Sequence, residues 1–444
     1  YGLGLLKLGE EALFLAVLLL VIVRARPGFR RKAALYETRF SPAWMAAVVA
    51  ALGASVWLGF FAFRNVQYSH ELWWQFELHA EASRFLRASV GAAMTFLLFG
   101  LGWLIRPAPH PAPDPTEEDL RDAAAAIAGQ TSTAPNLVYL RDKTLLFDED
   151  RRAFIMYAVQ GRTWVALGDP VGPPPRLAAL VRLFLQRCDD FAAVPVFYEV
   201  SRHHLHHYAD YGLGLLKLGE EARVDLEEFT LEGPRAAKFR QALRRLEKEQ
   251  VTFRVLEPAE VPAVMDQLAA VSREWLQEKA GAEKGFSLGF FDRAYVARFP
   301  LAVLEREGRV LAFANLWLGP QHQEMSVDLM RHGREAPPTA MEGLFVHLMC
   351  WGKQRGYRWF PMGMAPLSGF EASPLAPLWN RLGRFVYRHG EALYNFQGLR
   401  AYKEKFNPVW EPHYLAYPGG LRLPLIMADL AALISGGYRR LLTR

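Results

Sequence analysis

The sequence predicts an α/β protein of two related lobes with mixed sheets, preceded by α-helical transmembrane segments. Three observations carry this. Residues 324–364 read EMSVDLMRH, a Gly/Pro-containing loop, TAMEGLFVHLMCWGKQRGY and RWFPMGM: strand, turn, helix, strand. Residues 164–200 repeat that order, with a short apolar strand, the turn LGDPVGPP, an amphipathic helix over 177–188 and the strand VPVFYEV. Upstream, 44–63 and 88–105 are charge-free apolar runs of spanning length.

Along the chain, YGLGLLKLGEEA at 1–12 recurs unchanged at 211–222. An identity bounded so sharply is no structural repeat, and the first copy reads as foreign to its position. The apolar run at 12–23 would reach only about 18 Å as a helix against roughly 30 Å of hydrocarbon. It reads as a partial span whose natural start lies further upstream. With no basic n-region or small-residue cleavage site, a signal peptide fits less well. Arg24, Arg26, Arg30, Arg31 and Lys32 then place the first linker in the cytoplasm, the stretch 64–87 outside, and everything after 107 back inside. The outward stretch suits an interfacial helix or a short helix packed on the spans. APHPAPDPT, residues 108–116, is a Pro-rich tether. The first lobe is expected over 117–232, with a helix at 120–129 and strands near 137–139, 145–147, 154–159 and 164–167. A basic connecting helix covers 233–250. The second lobe and a basic, aromatic tail fill 251–444.

Composition narrows the chemistry. Apolar residues make up 51% of 444 and charged ones 22%, with a net charge of +6 that suits nucleic acid or anionic lipid without choosing between them. Cys188 and Cys350 read as free thiols of a reducing compartment, and no Cys/His spacing suggests zinc. SRHHLHHYAD could hold a metal at helical spacing, but a surface helix is the simpler reading, and no metal is expected. GxSxG, HExxH and Walker patterns are absent from the sequence, which argues against those hydrolase, zincin and NTPase classes.

In the 324–364 stretch, alternation predicts Met325, Val327 and Leu329 on one face of a strand and Ser326, Asp328 and Met330 on the other. Thr339 with Glu342 has capping-box spacing, and the helix is expected to stop at Gly356. An acyl-CoA enzyme of this build needs a glycine-rich turn whose N–H groups cradle a pyrophosphate. RHGREAPPT has one Gly and two Pro, so coenzyme A is disfavoured. Asp328 and Arg331 are three apart, on opposite faces of an ideal strand. They form either a structural ion pair at the strand end or a site in which Asp328 holds a substrate ammonium and Arg331 an oxygen. The helix RAAKFRQALRRLEKE turns Phe239, Leu243 and Leu246 inward and offers Arg235, Lys238, Arg244, Arg245 and Lys248, a solvated face or a nucleic-acid contact. YNFQGLRAYKEKFNPVWEPHYLAYP interleaves rings and cations, as a polyphosphate chain with splayed bases would need, or as a solvated hairpin would show.

The stretches RNVQYSHELWWQF, ASRFLRA, LGDPVG, PVFYEV, EKGFSLGFF, SVDLMRH, MGMAPLSG and YNFQGLRAYKEKFNPVWEPHYLAYP, spread over 64–418, resemble the bacterial aminoacyl-phosphatidylglycerol synthases of the multiple peptide resistance factor family. The resemblance implies tandem acetyltransferase-like (GNAT-type) lobes on membrane helices. It implies transfer of an amino acid from aminoacyl-tRNA to the glycerol hydroxyl of phosphatidylglycerol, with no cofactor beyond the tRNA co-substrate. The location implied is the bacterial inner membrane, multi-pass, with the synthase domain in the cytoplasm and the membrane part a candidate surface for homo-oligomer contacts. Family members usually carry a flippase domain upstream. On this resemblance Asp328 meets the aminoacyl ammonium or nucleophile, and Arg331, Lys403 and Lys405 the oxyanion or phosphates. Ser326, Tyr402, Glu404 and Arg400 assist in binding. Phe286, Met364 and Ser368 line a tunnel between tRNA and lipid openings, and the basic helix contacts tRNA. The alternatives are the same donor with another acceptor, such as a peptidoglycan precursor or another lipid, and a membrane-tethered RNA- or lipid-binding module without turnover.

Overall fold

The computed structural model describes residues 112–279, 283–369 and 396–438. The duplicated segment, the apolar runs and the stretch at 64–87 lie outside the described residues. Among the described residues no helix is long and apolar enough to cross a membrane.

The first helix, α1 (Glu117–Ile127), starts at Thr116, whose hydroxyl accepts the Asp119 N–H at 3.1 Å while Asp119 Oδ2 accepts the Thr116 N–H at 2.8 Å. The strand expected at 137–139 is instead part of a 3-10 helix, Ala134–Leu140. Pro135 fixes the backbone at its start and Asn136 Nδ2 donates back to Thr133 O at 2.9 Å, so the segment coils before its apolar residues can pair. An antiparallel meander follows: β1 (Thr144–Phe147), β2 (Phe154–Gln160) and β3 (Thr163–Leu167). All of β3 is buried, as a strand covered on both faces should be. Helix α2 (Pro174–Asp190) returns the chain to β4 (Val194–Ser201), parallel to β3. A short α3 (Leu205–Ala209) leads to the long β5 (Gly214–Asp225).

Next come α4 (Ala237–Lys248), β6 (Thr252–Leu256), α5 (Val261–Glu278) and α6 (Arg293–Ala297), capped by Asp292. Strands β7 (Leu301–Arg306), β8 (Arg309–Leu318) and β9 (Met325–His332) complete an antiparallel sheet in the order β6-β7-β8-β9. Helix α7 (Ala340–Gln354) follows, closed by Gly356 at φ +79°. The expected capping box at its start does not form. Thr339 is near-helical at φ −92°, ψ 1°, and its hydroxyl finds no partner, while Glu342 pairs with Lys405 at 3.1 Å.

The remaining elements are β10 (Trp359–Pro366), α8 (Phe396–Glu404), β11 (Val409–Tyr417) and α9 (Leu423–Ser435). Sequence order places them with the second lobe. In the structure β10 and β11 flank β5 instead, giving a seven-stranded sheet β1-β2-β3-β4-β11-β5-β10. A twelve-residue strand such as β5 would otherwise present two open edges, and these late strands cover both. A parallel bridge between Glu324 and Trp359 ties the two sheets where β9 and β10 begin. Apolar clusters fill both faces of the four-stranded sheet: Leu301, Val303, Phe313 and Leu329 pack towards α5, and Ala302, Leu304, Ala314 and Met325 towards α4 and α7. Cys188 is buried, Cys350 partly so, and both are free thiols.

Candidate active site

Asp328 sits on a β-bulge. Between its pairings with β8, β9 advances three residues, Val327 to Met330, while β8 advances two, Leu316 to Ala314. The extra residue breaks the alternation predicted from sequence. Leu329 belongs to the cluster on the α5 side rather than to that of Met325. Arg331 reaches Ser272 and Trp275 of α5, while Asp328 reaches Tyr295 and Gly289 in the chain that follows α5. Asp328 and Arg331 therefore share a face, through the bulge and not through the strand's turn into the loop.

The Asp328 carboxylate is tightly held. Oδ1 accepts the Gly289 N–H at 2.9 Å and Oδ2 the Tyr295 hydroxyl at 2.6 Å. A Cβ on residue 289 would overlap the carboxylate, so glycine there is a condition of the approach. Burial pushes the Asp328 carboxyl above its ordinary pKa; the two donors, Lys143 and Arg331 oppose that rise. Lys143 is itself 2% exposed and bonded to Asp142, and burial holds its amine below the ordinary value despite Asp142 and Asp328. Asp142 Oδ2 also accepts the Phe286 N–H at 2.9 Å, which anchors the 283–291 segment over the site.

Arg331 grips that same segment. Its guanidinium makes two 2.7 Å bonds to Glu283, donates to Ser272 and lies over the Trp275 ring. The Asp328–Arg331 ion pair considered from sequence is replaced by Arg331–Glu283, because the fork of Arg331 is filled by the more distant carboxylate.

Lys403 lies in a second cluster, in the seven-stranded sheet. On β10 the register advances three residues, Pro361 to Met364, against two on β5. The bulge turns carbonyls out of the ladder, and Lys403 Nζ donates to Gly363 O at 2.8 Å and Met364 O at 3.0 Å. Burial lowers its amine to about 8, opposed by Glu221. Glu221 faces His413 at 3.6 Å, and His413 Nδ1 lies 3.1 Å from Glu199 O. Burial disfavours charge on His413, but Glu221 and Glu199 outweigh it and hold the imidazole up at about 9. Glu199, in a left-handed conformation at φ +64°, is raised by burial to about 6. Glu221 meets the same burial yet ends below its ordinary value, through His413, Arg223 and Lys403.

Apart from the Tyr402 hydroxyl, the remaining tail residues are paired among themselves, with β5 or with α7. Arg400 bonds Glu220 at 2.7 Å and lies over Trp410, whose Nε1–H donates to Glu404 at 3.0 Å. Lys405 is exposed, bonded to Glu342 and set over the Tyr402 ring; the Tyr402 hydroxyl is buried without a partner. Ser326 lies 2.6 Å from Thr133 Oγ1, which donates to the buried Glu324. Phe286 is 3% exposed at φ +61°, Met364 is partly buried, and Ser368 donates to Ala365 O at 2.7 Å. Arg235, Lys238, Arg244, Arg245 and Lys248 are all exposed, while Arg240 folds back onto Leu231 O and Gly233 O.

The structure thus gathers Asp328 with Lys143, Tyr295, Gly289 and, behind them, Arg331 and Glu283. Lys403 stands with Glu221, His413 and Glu199. Sequence reading missed Lys143, Tyr295, Glu283, Glu199, Glu221 and His413. They arrive from separate elements with no shared spacing, although the paired acids of KLGEEA, set between the buried Gly219 and Ala222, were a visible signal. Among the described residues no group of three or more His, Cys, Asp or Glu is placed to hold a metal. In the His-rich segment, His204 instead meets Asp169 at 3.1 Å.

The family model "Phosphatidylglycerol lysyltransferase, C-terminal" matches residues 124–417. A phosphatidylglycerol lysyltransferase of Bacillus subtilis (strain 168) is 38% identical over 301 residues, covering 67% of this chain and 35% of the relative. One of Staphylococcus epidermidis is 36% identical over 283 residues, covering 64% and 34%. The chain therefore spans about a third of the length of the curated relatives it matches. Among solved structures, L-PGS from Bacillus licheniformis superposes with a TM-score of 0.64 at 37% identity, over 73% of this chain and 99% of that one. The C-terminal DUF2156 domain of a lysylphosphatidylglycerol synthetase candidate from Agrobacterium fabrum gives 0.66 at 42% identity, over 72% and 98%.

Proposed function

Because the chain belongs to the phosphatidylglycerol lysyltransferase C-terminal family, we propose that it moves an aminoacyl group from aminoacyl-tRNA to the glycerol hydroxyl of phosphatidylglycerol. The observation that carries the reading is the family match across 124–417, which spans Asp328, Lys403 and the 283–291 segment held against Asp328. Exchange of one alcohol ester for another needs neither ATP nor a metal. It needs positioning, a path for the proton from the glycerol hydroxyl to the departing ribose oxygen, and stabilisation of the tetrahedral oxyanion.

In this reading Asp328 holds the aminoacyl ammonium and Lys403, protonated below about 8, faces the developing oxyanion. Arg331 keeps the 283–291 segment closed through Glu283, and Lys405 and Arg400 meet phosphate. Ser326, Tyr402 and Glu404 support the substrate, Phe286, Met364 and Ser368 line its path, and Arg235 with the exposed cations of α4 contacts the tRNA backbone. The mixed sheets are read as two acetyltransferase-like lobes on the cytoplasmic side of a multi-pass inner-membrane protein, with homo-oligomer contacts in its membrane part. Adding a cationic or neutral amino acid to phosphatidylglycerol lowers surface negative charge, and with it the attraction of cationic peptides.

The test is incubation of the purified full chain with charged tRNA and phosphatidylglycerol vesicles, with Asp328→Ala as control. An RNase-sensitive aminoacyl-lipid product supports the reading, and its absence with every donor sinks it. Comparing lysyl and alanyl donors identifies the amino acid, and exchanging the lipid tests the acceptor.

A further inference from the structure

Two buried N–H groups beside the Asp328 pocket, Asn315 Nδ2 and Trp317 Nε1, lie against the Tyr295 hydroxyl without completing a hydrogen bond of good geometry. Their residues are 0% and 6% exposed. Enclosed donors without partners are rare, and these two occupy neighbouring same-face positions of β8. Both are turned towards the hydroxyl of Tyr295, whose own proton goes to Asp328 Oδ2 at 2.6 Å.

The direction of the Asn315 amide is fixed by its neighbours. The bulge in β9 leaves the Leu329 N–H outside the ladder, and Asn315 Oδ1 accepts it at 2.7 Å. Since a backbone N–H only donates, the oxygen must lie on the Leu329 side and Nδ2 on the Tyr295 side. Indole has no acceptor at nitrogen, so Trp317 also presents only a donor. Around the phenol oxygen there are two N–H groups and one acceptor, the Asp328 carboxylate.

We propose that Asn315, with Trp317, is a positioning residue for Asp328 that acts through Tyr295: the amide ties the β9 bulge to the phenol and leaves the phenol proton a single destination, Asp328 Oδ2. With Oδ1 on the Gly289 N–H and Oδ2 on the phenol, the carboxylate plane is fixed and its remaining lone pairs are presented to a primary ammonium. The ligand class is an α-ammonium ester or amide. This step rests on the reading that Asp328 binds the aminoacyl ammonium.

The test uses alaninamide and lysinamide as probes, titrated calorimetrically into the full chain in nanodiscs. Asn315→Leu should weaken the amide that binds by about tenfold or more, and Trp317→Phe by less. In a Tyr295→Phe background, Asn315→Leu should add less than about twofold, the signature of action through the phenol. Asn315→Asp adds a pH readout. Protonated, its hydroxyl replaces Nδ2–H as a donor; ionised, it competes with Asp328 for the phenol proton. Affinity relative to wild type should therefore fall as pH rises from about 5. The titratable or charged groups that act on the Tyr295–Asp328 pair reached from that position are Arg331 of β9 and Lys143 before β1. Equal losses from Asn315→Leu in both backgrounds, or an Asn315→Asp profile parallel to wild type, would overturn the proposal. The same cycle read on thermal unfolding needs no ligand. Coupling between Asn315 and Tyr295 there supports the tie even if neither amide binds and the aminoacyl reading fails; absence of coupling there rejects it.

Discussion

Gly289→Ala is the sharpest probe of the Asp328 pocket. Gly289 lies outside the left-handed region, so alanine can adopt its backbone, and only the added methyl changes. That methyl would overlap Oδ2, Cγ and Oδ1 of Asp328, which must swing away. The 2.9 Å bond from the Gly289 N–H then breaks, and the 2.6 Å bond from Tyr295 is strained. A hydrogen bond to a charged group contributes about 1.5–3 kcal/mol, and each 1.4 kcal/mol is about tenfold in rate, so one broken bond lowers kcat/KM by about tenfold to a hundredfold. Gly285→Ala is the matched control, since its Cβ would stand 3.6 Å from Asp142 Oδ2, an ordinary contact, and should stay within about twofold. Initial rates of RNase-sensitive aminoacyl-phosphatidylglycerol formation read both. Wild-type activity in Gly289→Ala, or equal losses in the two variants, would refute a carboxylate held in this geometry as the substrate anchor.

Three further outcomes follow from the same geometry. Arg331→Lys cannot reproduce the two bonds to Glu283 or the stacking on Trp275, so the midpoint of thermal unfolding should fall by the equivalent of about 2 kcal/mol and proteolysis within 283–291 should quicken. If Lys403 acts as a cation, its contribution is present below its pKa and disappears as pH rises through about 8. Single-turnover rates should show that alkaline limb, and Lys403→Arg should move it beyond the accessible range, whatever the change in absolute rate. Paired reversal of Arg244 and Lys248 to Glu on exposed positions of α4 should weaken tRNA binding and reduce its salt slope by about one for each phosphate no longer neutralised, with thermal unfolding little changed.

The local fold was legible because local patterns determine it. The alternation of EMSVDLMRH, the helical spacing after Thr339 and the stop at Gly356 each follow from a handful of adjacent residues. What sequence could not give was the extra residue at Asp328–Leu329, because a bulge is decided by what the partner strand offers, here Asn315 Oδ1. Likewise β10 read correctly as a strand, yet its partner, like that of β11 in the ring-and-cation tail, is β5, more than a hundred residues earlier. The site was half visible for the same reason. Asp328 and Lys403 stood out as charges in apolar or aromatic surroundings. Tyr295 and Lys143 looked like ordinary helix and loop residues until folding set them beside Asp328.

Three bulges explain why charged groups can be accommodated within these sheets. In β9 the displaced Leu329 N–H is taken by Asn315; in β10 the displaced carbonyls of Gly363 and Met364 are taken by Lys403. In β4, which advances three residues from Phe197 to Val200 against two on β11, Glu199 turns to φ +64° and its carbonyl meets His413. A backbone group left unpaired inside a sheet is costly, and so is a polar side chain buried without a partner. Each bulge lets one offset the other. It also fixes the side chain to main chain rather than to a mobile loop, so little reorganisation is needed when charge develops on a substrate. Removing one member should therefore cost more than its own hydrogen bond, because the backbone group it satisfied is left unpaired in the sheet. For Lys403→Met two carbonyls would be orphaned, and loosening should appear as faster amide exchange along β10, a readout independent of whether the ammonium itself takes part in transfer.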